Sequence, residues 1–420
     1  MSSKPLGAGL DGRIVLVLGT LAGVSYVTNT ALSSPDQFGL ASDVYATAVG
    51  SWLDGGELYR VAPEDRPGFF YLYPPITILL FIPHAILGAG IGSYLLQTAI
   101  NVLVIVAIIL VIFRALDRRE IELRILDRAV VIGFVSISPY AMPHLIEGQT
   151  TLWLALALAV GFDAIDRDQE GIAGAAFAGA ALIKIFPAAV GLWMLRLRAI
   201  RGVIAAMLVG IGALVVGIVF GPDLTQQYLT EILIDRHSGQ TERVADLQGN
   251  TGGIHRQLAA ITGTTGRWLT VAAAAILLPL LGLAYRRIDT DVHRLTAILA
   301  TVSALLLFMP LQPLYNALLF FPVVLLVFTL AKGPARLLLH LGILLTVTMV
   351  SFDNYLDWTE WFPSPVEGWL ASFGEVFYTF AVPPNIGLWL LLLSAILVHT
   401  TWYTDRYPVS RHPEPDHLGD

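Results

Sequence analysis

The sequence predicts an all-α integral membrane protein built from many spanning helices. Charged residues make up 14% of the 420 residues and hydrophobic residues 55%, whereas a soluble domain carries about 25% charged residues. The mean hydropathy is +0.70. Several apolar runs approach the roughly 20 residues that a helix needs to cross a bilayer. Because lipid offers no hydrogen bonds to the backbone, these runs must be helices.

Apolar segments follow one another along the whole chain, and the length of a bilayer span suggests about twelve of them. The first is longer than the core of a signal peptide and is not followed by a small-residue cleavage site, so we expect it to be retained as a span. The segments lie at 13–32, 75–90, 92–114, 128–146, 150–165, 171–197, 202–220, 268–285, 294–310, 314–331, 335–351 and 385–403.

Three long polar stretches separate these segments. They cover 33–74, 221–267 and 352–384, and each is rich in aromatic residues, proline and glycine. Long loops within a compact domain are usually functional. We expect a single polytopic membrane domain over 1–404, with interfacial helices in the long loops. Residues 405–420, which are rich in proline and acids, are expected to form a disordered cytoplasmic tail.

The placement of lysine and arginine predicts the orientation. Most of these residues fall between segments on the side opposite the three long stretches, which predicts cytoplasmic termini and outward-facing long loops in a cell membrane. One group of arginines conflicts with this orientation, because these residues would lie outside if 75–90 and 92–114 both cross. They are Arg114, Arg118, Arg119, Arg124 and Arg128. The conflict disappears if 75–90 enters without crossing and 171–197 is broken near Lys184. The sequence leaves both arrangements open.

Composition also excludes several classes of function. The net charge is −7 and no basic run exceeds two residues, so we expect no nucleic-acid partner. The absence of cysteine excludes disulfides, thiolate metal sites and cysteine nucleophiles. No nucleotide-binding or zinc-protease motif is present. No cofactor is indicated and no compact ligand cluster argues for a metal site, although a divalent metal stays open.

The first long loop contains a predicted helix over 42–54. Its apolar positions recur at helical spacing, as in an amphipathic helix that lies in the bilayer interface. We expect Ser42 to cap this helix and Gly55-Gly56 to end it. Asp43 then lies in the first turn, where the helix dipole favours an ionised carboxylate. Asp43 is either a helix-starting residue or the kind of carboxylate that a general base requires. The apolar positions are Tyr45, Val49, Trp52 and Leu53.

Other polar residues at or between segments have both a functional and a structural interpretation. Lys184, which lies deep in an apolar run before Phe186-Pro187, is either a functional cation or a lysine that reaches toward the interface. His255 and Arg256 follow a glycine-rich turn and either bind phosphate or acceptor, or form a solvated basic pair. Glu147 and Gln149 could bind sugar hydroxyls through hydrogen bonds, and they could equally well satisfy the free backbone groups at a helix end.

An ordered set of motifs resembles the bacterial and archaeal family 87 glycosyltransferases, members of the GT-C superfamily. The motifs are short, and they occur in sequence order over the region up to Leu258. They comprise Asp43-Val44-Tyr45, Leu53 to Gly56 with Leu58-Tyr59, Phe69 to Pro75 with Ile82-Pro83, Glu147 to Thr151, Lys184 to Pro187 and, more weakly, Asn250 to Leu258.

The resemblance implies a GT-C-like helical bundle that takes a hexose, most commonly mannose, from a polyprenyl-phosphate carrier. The acceptor would be a glycolipid or glycan at the outer leaflet. Asp43 would deprotonate the acceptor hydroxyl for in-line displacement of the lipid phosphate. A fixed cation should stabilise the leaving phosphate, and we assign this role to Lys184, with His255 and Arg256 as further candidates. Tyr73, Glu147 and Gln149 are candidates for contacts with the sugar or acceptor.

The chain departs from the family pattern after the later spans. Where the family often has a Ser-Trp-x-His-His-like cluster, this chain has Pro310 to Asn316. Within that stretch Gln312, Tyr315 and Asn316 remain able to bind a sugar through hydrogen bonds.

Two other classes compete with this interpretation. A transporter or flippase of a lipid-linked or polar substrate would be expected to show paired halves with matching broken helices, which the sequence lacks. An O-antigen ligase or polymerase would be expected to need arginine and histidine in the last long loop, and 352–384 has neither.

Overall fold

The computed structural model describes residues 9–235, 253–309, 312–400 and 402–403. Within these ranges every regular element is a helix, as the sequence predicted. The α-helices are α1 Leu10–Ser33, α2 Leu40–Leu53, α3 Ile78–Leu87, α4 Ile91–Arg118, α5 Ile125–Ile137, α6 Met142–Glu147, α7 Thr151–Ile165, α8 Glu170–Ile183, α9 Gly191–Leu197, α10 Ile200–Phe220, α11 Pro222–Gln227, α12 Ile254–Thr262, α13 Trp268–Ala284, α14 Asp291–Phe308, α15 Phe320–Thr329, α16 Pro334–Thr346, α17 Phe352–Thr359, α18 Ser364–Phe380 and α19 Pro383–Val398.

Four helices are long and apolar enough to cross a bilayer by themselves, namely α1, α4, α10 and α14. The count rises to five if α18 and α19, which are bent by 52° at their junction, form one broken span. Shorter apolar helices of 10–17 residues make up much of the remainder. The chain therefore has the long apolar helices of a membrane protein, and the number of spans stays a prediction.

Proline interrupts several of the predicted segments. Short 3₁₀ helices, each with proline in its first positions, occur at Pro35–Gln37, Pro75–Thr77, Phe186–Val190 and Pro313–Leu319. Proline fits the start of a helix but cannot continue one. The break near Lys184, which the sequence left open, is present in the structure. The predicted segment 128–146 is two helices, because Ser138 before Pro139 is extended and ends α5.

One end of the bundle, which we call the charged end, is held by ion pairs between helix termini. Arg13 donates to Asp127 at 2.7 Å, which joins the start of α1 to the start of α5. Arg336 at the start of α16 donates to Asp11 at 2.8 Å. At the end of α4, Arg118 pairs with Asp163 of α7. The first and last turns of these helices therefore lie side by side.

The opposite end, which we call the cleft end, carries a hairpin of α2 and α3. The backbone N–H of Gly90, after α3, donates to Asp43 Oδ1 at the start of α2 at 2.7 Å. Segment 75–90 thus leaves and returns at the same end, and α4 then runs to the charged end. Arg124 lies near Arg13, because the Arg124 N–H and the Arg13 side chain both donate to Asp127. This agrees with the arrangement in which 75–90 does not cross, and the membrane topology stays a prediction.

Glycine permits the close helix pairs. A Cβ on Gly174 of α8 would lie 1.9 Å from the carbonyl oxygen of Gly202 in α10. A Cβ on Gly23 of α1 would lie 1.6 Å from the carbonyl oxygen of Ile137 in α5. Small residues let helix backbones approach closely where apolar burial between helices gives little driving force.

Two details of α2 differ from the sequence prediction. The helix begins at Leu40 and not at Ser42, because Gly39 adopts a left-handed conformation with φ of 76° and starts the helix earlier. The Ser42 hydroxyl lies inside the first turn and donates to the Gly39 carbonyl at 2.8 Å. In addition, α3, α4 and α6 pack around α2, so it is more buried than an interfacial amphipathic helix. Its end at Leu53, before Gly55-Gly56, agrees with the prediction.

Both later polar stretches contain helices. Residues 221–267 include α11, a π-helical turn at Tyr228–Asp235 and α12. Residues 352–384 include α17 and α18, which present several exposed aromatic side chains such as Trp358 and Trp369. The predicted tail at 405–420 lies outside the described residues, and so does the start of the weak motif Asn250 to Leu258, whose remainder leads into α12.

Candidate functional site

A cleft opens at the cleft end with an empty volume of about 1100 Å³, open space at its mouth included. Its walls are formed by the start of α2, the loop segment before Pro74, the break after α8 and the π-helical turn at Tyr228–Asp235. Four of the predicted site residues line it: Tyr73, Gln149, Lys184 and Tyr315. The remaining lining is Leu40, Ala41, Val44, Tyr45, Phe69, Phe70, Leu72, Ile183, Ile185, Phe186, Tyr228, Ile232, Leu233 and Met309.

Lys184 provides a cation in this mostly apolar cleft. It follows the last residue of α8 with an extended backbone, φ −142° and ψ 129°, so its side chain leaves the helix axis. The Lys184 ammonium donates to the Tyr315 hydroxyl at 2.5 Å and lies 4.6 Å from the centre of the Tyr315 ring. A cation over an aromatic face is stabilised electrostatically. The ammonium is thereby fixed in place and still faces the cleft.

Tyrosine hydroxyls line one wall of the cleft. The hydroxyls of Tyr45 and Tyr73 are 3.0 Å apart, and that of Tyr73 is 3.1 Å from the Thr150 hydroxyl. Tyr59 donates to the carbonyl of Tyr73 at 2.9 Å and so fixes the backbone of this wall. Aromatic faces combined with hydroxyl groups suit the apolar and polar faces of a sugar ring.

Glu147 and Gln149 lie at the turn between α6 and α7. Gln149 Nε2 donates to Glu147 Oε2 at 3.2 Å. Asn101 of α4 holds the turn by donating to the carbonyls of His144 and Gln149, both at 3.0 Å. Burial raises the pKa of the Glu147 carboxyl, against the lowering effects of Gln149, Lys184 and Arg66. The Glu147 carboxyl group therefore lies beside the Gln149 amide, which lines the cleft.

Asp43 lies in the first turn of α2, next to the cleft but not in its lining. Its Oδ1 accepts from the Gly90 N–H, and its Oδ2 is 3.5 Å from Arg66 Nη2. Its side chain is 15% exposed. Leu40, Ala41 and Val44 of the same turn face the cleft. The carboxylate is thus within one helical turn of the cleft wall.

The structure does not bring His255 and Arg256 into the cleft. Both are buried in α12, where the His255 ring meets Phe308 at 5.9 Å between ring centres. Arg256 Nε donates to the Tyr378 carbonyl of α18 at 2.8 Å. The sequence left open whether they bind phosphate or acceptor or form a solvated basic pair, and in the structure both side chains are buried. Their contacts join α12 to the neighbouring helices.

Gln312 and Asn316 lie in a different small cavity. It has an empty volume of about 230 Å³ and also includes Asn385. Asn316 Nδ2 donates to the Thr346 carbonyl at 3.0 Å. Of the three residues predicted in this stretch, the 3₁₀ turn directs only Tyr315 into the cleft, because side chains on successive residues of a helical turn point to different sides.

Several cleft residues were not predicted from the sequence. Tyr45 was assigned to the apolar face of α2, and Phe69 and Phe70 were noted only as part of a motif. Tyr228 and Ile232 lie in a stretch without any distinctive motif. The one available signal was the concentration of aromatic residues in the long polar stretches.

An apolar groove continues from the cleft along the bundle. It has an empty volume of about 660 Å³ and shares Ile185, Tyr228 and Leu233 with the cleft. Glycine and alanine of α10 leave room for it, and no atom lies within 4 Å of a Cβ built on Gly210. The rest of its lining is Pro74, Pro75, Ile76, Ala181, Leu182, Gly210, Ala213, Leu214, Gly217, Thr225 and Leu229.

No metal site stands out near this cleft. Over the part of the chain that the structure describes, no three His, Asp or Glu side chains are grouped to hold a metal ion. The polar chemistry of the cleft comes from an ammonium group, tyrosine hydroxyls and an amide, with two carboxyl groups beside it.

The chain was compared with known proteins. No curated protein matches it. The family model of glycosyltransferase family 87 matches residues 71–313, which is more than half of the chain. The matched region contains Tyr73, Glu147, Gln149 and Lys184, whereas Asp43 precedes it. The chain therefore belongs to glycosyltransferase family 87.

Proposed function

We propose that the protein transfers a hexose, with mannose as the first candidate, from a polyprenyl-phosphate-sugar donor to a glycolipid or glycan at the outer leaflet. Family membership makes the chain a glycosyltransferase and replaces the transporter and ligase alternatives. The finer assignment rests on one observation above all. The Lys184 ammonium faces a cleft that continues into an apolar groove.

This combination suits a donor with an anionic phosphate and a long hydrocarbon chain. The phosphate would lie at Lys184 and the isoprenoid in the groove, while the sugar would meet the hydroxyls of Tyr73 and Tyr45. Desolvation strengthens the attraction between an ammonium and a phosphate, and an isoprenoid gains about 25 cal/mol for each Å² that it removes from water. A nucleotide-linked donor would leave the groove empty.

The reaction would be a single displacement. The acceptor oxygen forms a bond to the anomeric carbon as the bond from that carbon to the phosphate oxygen breaks. The acceptor proton passes to the Asp43 carboxylate, and polyprenyl phosphate leaves as an anion beside Lys184. An in-line displacement inverts the anomeric configuration, so a β-linked donor would give an α-linked product.

A transfer assay tests this proposal. Purified protein in lipid vesicles is given radiolabelled polyprenyl-phosphate-mannose together with a total membrane lipid extract. We expect label to move into a new glycolipid or glycan, with inverted anomeric configuration. Transfer from a nucleotide sugar in the absence of any lipid-linked sugar would overturn the assignment of the donor. Transfer of another lipid-linked hexose in preference to mannose would correct the sugar alone.

A further inference from the structure

Arg66 connects the cleft wall to the start of α2. It lies in a pair of tight turns, in which the Arg66 N–H donates to the Pro63 carbonyl at 3.0 Å and the Phe69 N–H donates to the Arg66 carbonyl at 3.2 Å. Phe69 and Phe70 then line the cleft. The side chain of Arg66 points away from this wall, toward Asp43.

The guanidinium is well anchored on one side. Its Nη2 donates to the Phe38 carbonyl at 3.1 Å and lies 3.5 Å from Asp43 Oδ2, and both charged side chains are 15% exposed. The other carboxylate oxygen of Asp43 accepts from the Gly90 N–H at 2.7 Å. A backbone donor on one oxygen and a guanidinium beside the other fix the direction of the carboxylate.

Arg66 also acts on the second carboxyl group of the site. It is one of the cations that lower the pKa of Glu147 against the effect of burial. Its Nη1 is buried and makes no hydrogen bond in the structure. A buried donor without a partner costs free energy, so packing alone gives no reason for an arginine here. A cation that serves two neighbouring carboxyl groups does give one.

We infer that Arg66 is a positioning residue, which fixes the direction of the Asp43 carboxylate for its contact with the acceptor. This inference rests on the proposed function, since it assigns Arg66 a part in the step that Asp43 performs. The loop between α2 and α3 then has two tasks. Its aromatic residues form the cleft wall, and its arginine prepares the base.

The test compares Arg66→Gln and Arg66→Lys with Arg60→Gln. Arg60 is a matched control because it lies in the same loop, is 59% exposed and pairs with Glu231 at 2.7 Å, away from Asp43. The first readout is hydrogen–deuterium exchange of the Gly90 amide, which donates to Asp43 Oδ1, followed by peptide mass spectrometry. It needs no substrate.

We expect Arg66→Gln to speed exchange of the Gly90 amide, with Arg66→Lys close to the wild type and Arg60→Gln unchanged. In the transfer assay, Arg66→Gln should lower kcat by up to about 10²-fold, because a misplaced reacting group costs that much. Its KM for the lipid donor should stay near the wild-type value, and Arg66→Lys should recover most of the rate.

Equal exchange of the Gly90 amide in Arg66→Gln and Arg60→Gln would overturn the inference, and so would a variant Arg66→Gln with full turnover. If Arg66→Gln fails to fold, wild-type exchange of this amide in Arg66→Lys supports the role of the charge, and exchange as fast as in denatured protein contradicts it. If the wild-type protein transfers no sugar while Arg66→Gln speeds exchange at Gly90, the proposed function is refuted and the contact of Arg66 with Asp43 stands.

Discussion

The Lys184 ammonium and the Tyr315 hydroxyl, 131 positions apart in the chain, are 2.5 Å from each other. This contact joins the break after α8 to the 3₁₀ turn before α15. It fixes the cation at the floor of the cleft, and the hydroxyl takes the place that water would occupy around an exposed ammonium. A phosphate that enters the cleft therefore meets a cation that is already oriented.

Replacing Lys184 by glutamine should weaken donor binding. A hydrogen bond to a charged group contributes roughly 1.5–3 kcal/mol, which corresponds to about a 10- to 150-fold rise in the KM for the lipid donor, and kcat should fall as well if the cation stabilises the leaving phosphate. Steady-state kinetics with varied donor measure both. Lys332→Gln is the control, since Lys332 is exposed between α15 and α16. Donor kinetics unchanged in a folded Lys184→Gln protein would make Lys184 a structural residue.

Replacing Asp43 by asparagine should remove the general base while preserving its volume and most of its hydrogen bonding. Loss of a general base typically lowers the rate by about 10²–10⁴-fold. Loss of a helix-dipole contact contributes only about 0.3–1 kcal/mol to stability, so the variant should still fold. Donor binding should survive, because the base acts on the acceptor. Single-turnover rates and equilibrium donor binding separate the two effects.

Asp54→Asn is the matched control for this variant, because Asp54 ends the same helix and is exposed. It should keep nearly full activity. If Asp43→Asn retains more than about a tenth of wild-type turnover, a loss far below that of a general base, Asp43 is only a helix-starting residue. Glu147, whose pKa is raised by burial, then becomes the carboxyl group to replace.

Filling the apolar groove should discriminate between donors by chain length. Gly210→Leu places a side chain where the structure leaves open space in the groove lining. We expect a higher KM for a long-chain polyprenyl donor and little change for a donor with one or two isoprene units. Gly212→Leu is the control, since Gly212 lies on the same helix outside the groove and also has open space around it. Equal effects of the two substitutions on the long donor would place the isoprenoid elsewhere.

The absence of cysteine allows a direct test of orientation. Each introduced cysteine is the only thiol of the chain. Asp54→Cys lies at the cleft end, whereas Glu122→Cys, between α4 and α5, and Lys332→Cys lie at the charged end, and all three positions are exposed. A membrane-impermeant maleimide should label Asp54→Cys in intact cells and the other two only after permeabilisation. Labelling of Glu122→Cys in intact cells would mean that 75–90 crosses the bilayer.

Replacing Asn101 by alanine should destabilise the bundle near the cleft. Asn101 is fully buried; it donates to two carbonyls of the turn between α6 and α7, and its Oδ1 accepts from Gln97 and Trp153. Buried polar groups that lose their partner each cost about 1–3 kcal/mol. Thermal unfolding in detergent should show a lower midpoint for Asn101→Ala than for Thr98→Ala on the same helix, whose hydroxyl has no hydrogen-bond partner. Equal midpoints would contradict a stabilising role for Asn101.

The sequence alone determined the helical class and the positions of most helices. Apolar runs of sufficient length must be helical in lipid, and proline marks where they break, as it does after Lys184. The sequence also identified the residues with unusual chemistry for their surroundings. The sequence shows a lysine in an apolar run and an aspartate in the first turn of a helix without any structure. The cost of placing a charge at either position depends on local composition.

Only the tertiary structure decided which of these residues meet. Tyr315 enters the cleft and Asn316 does not, although they are neighbours in sequence, because the direction of a side chain depends on how its turn packs. Arg256, for which the sequence left open phosphate binding or a solvated loop, is buried against α18, since a contact with Tyr378 across 122 positions leaves no trace in local sequence. The sequence also left the path of 75–90 open; in the structure the bond from the Gly90 N–H to Asp43 joins its end to α2, and whether it crosses the bilayer stays a prediction. Composition determines which residues must be buried, and only the packing determines which neighbours they are buried against.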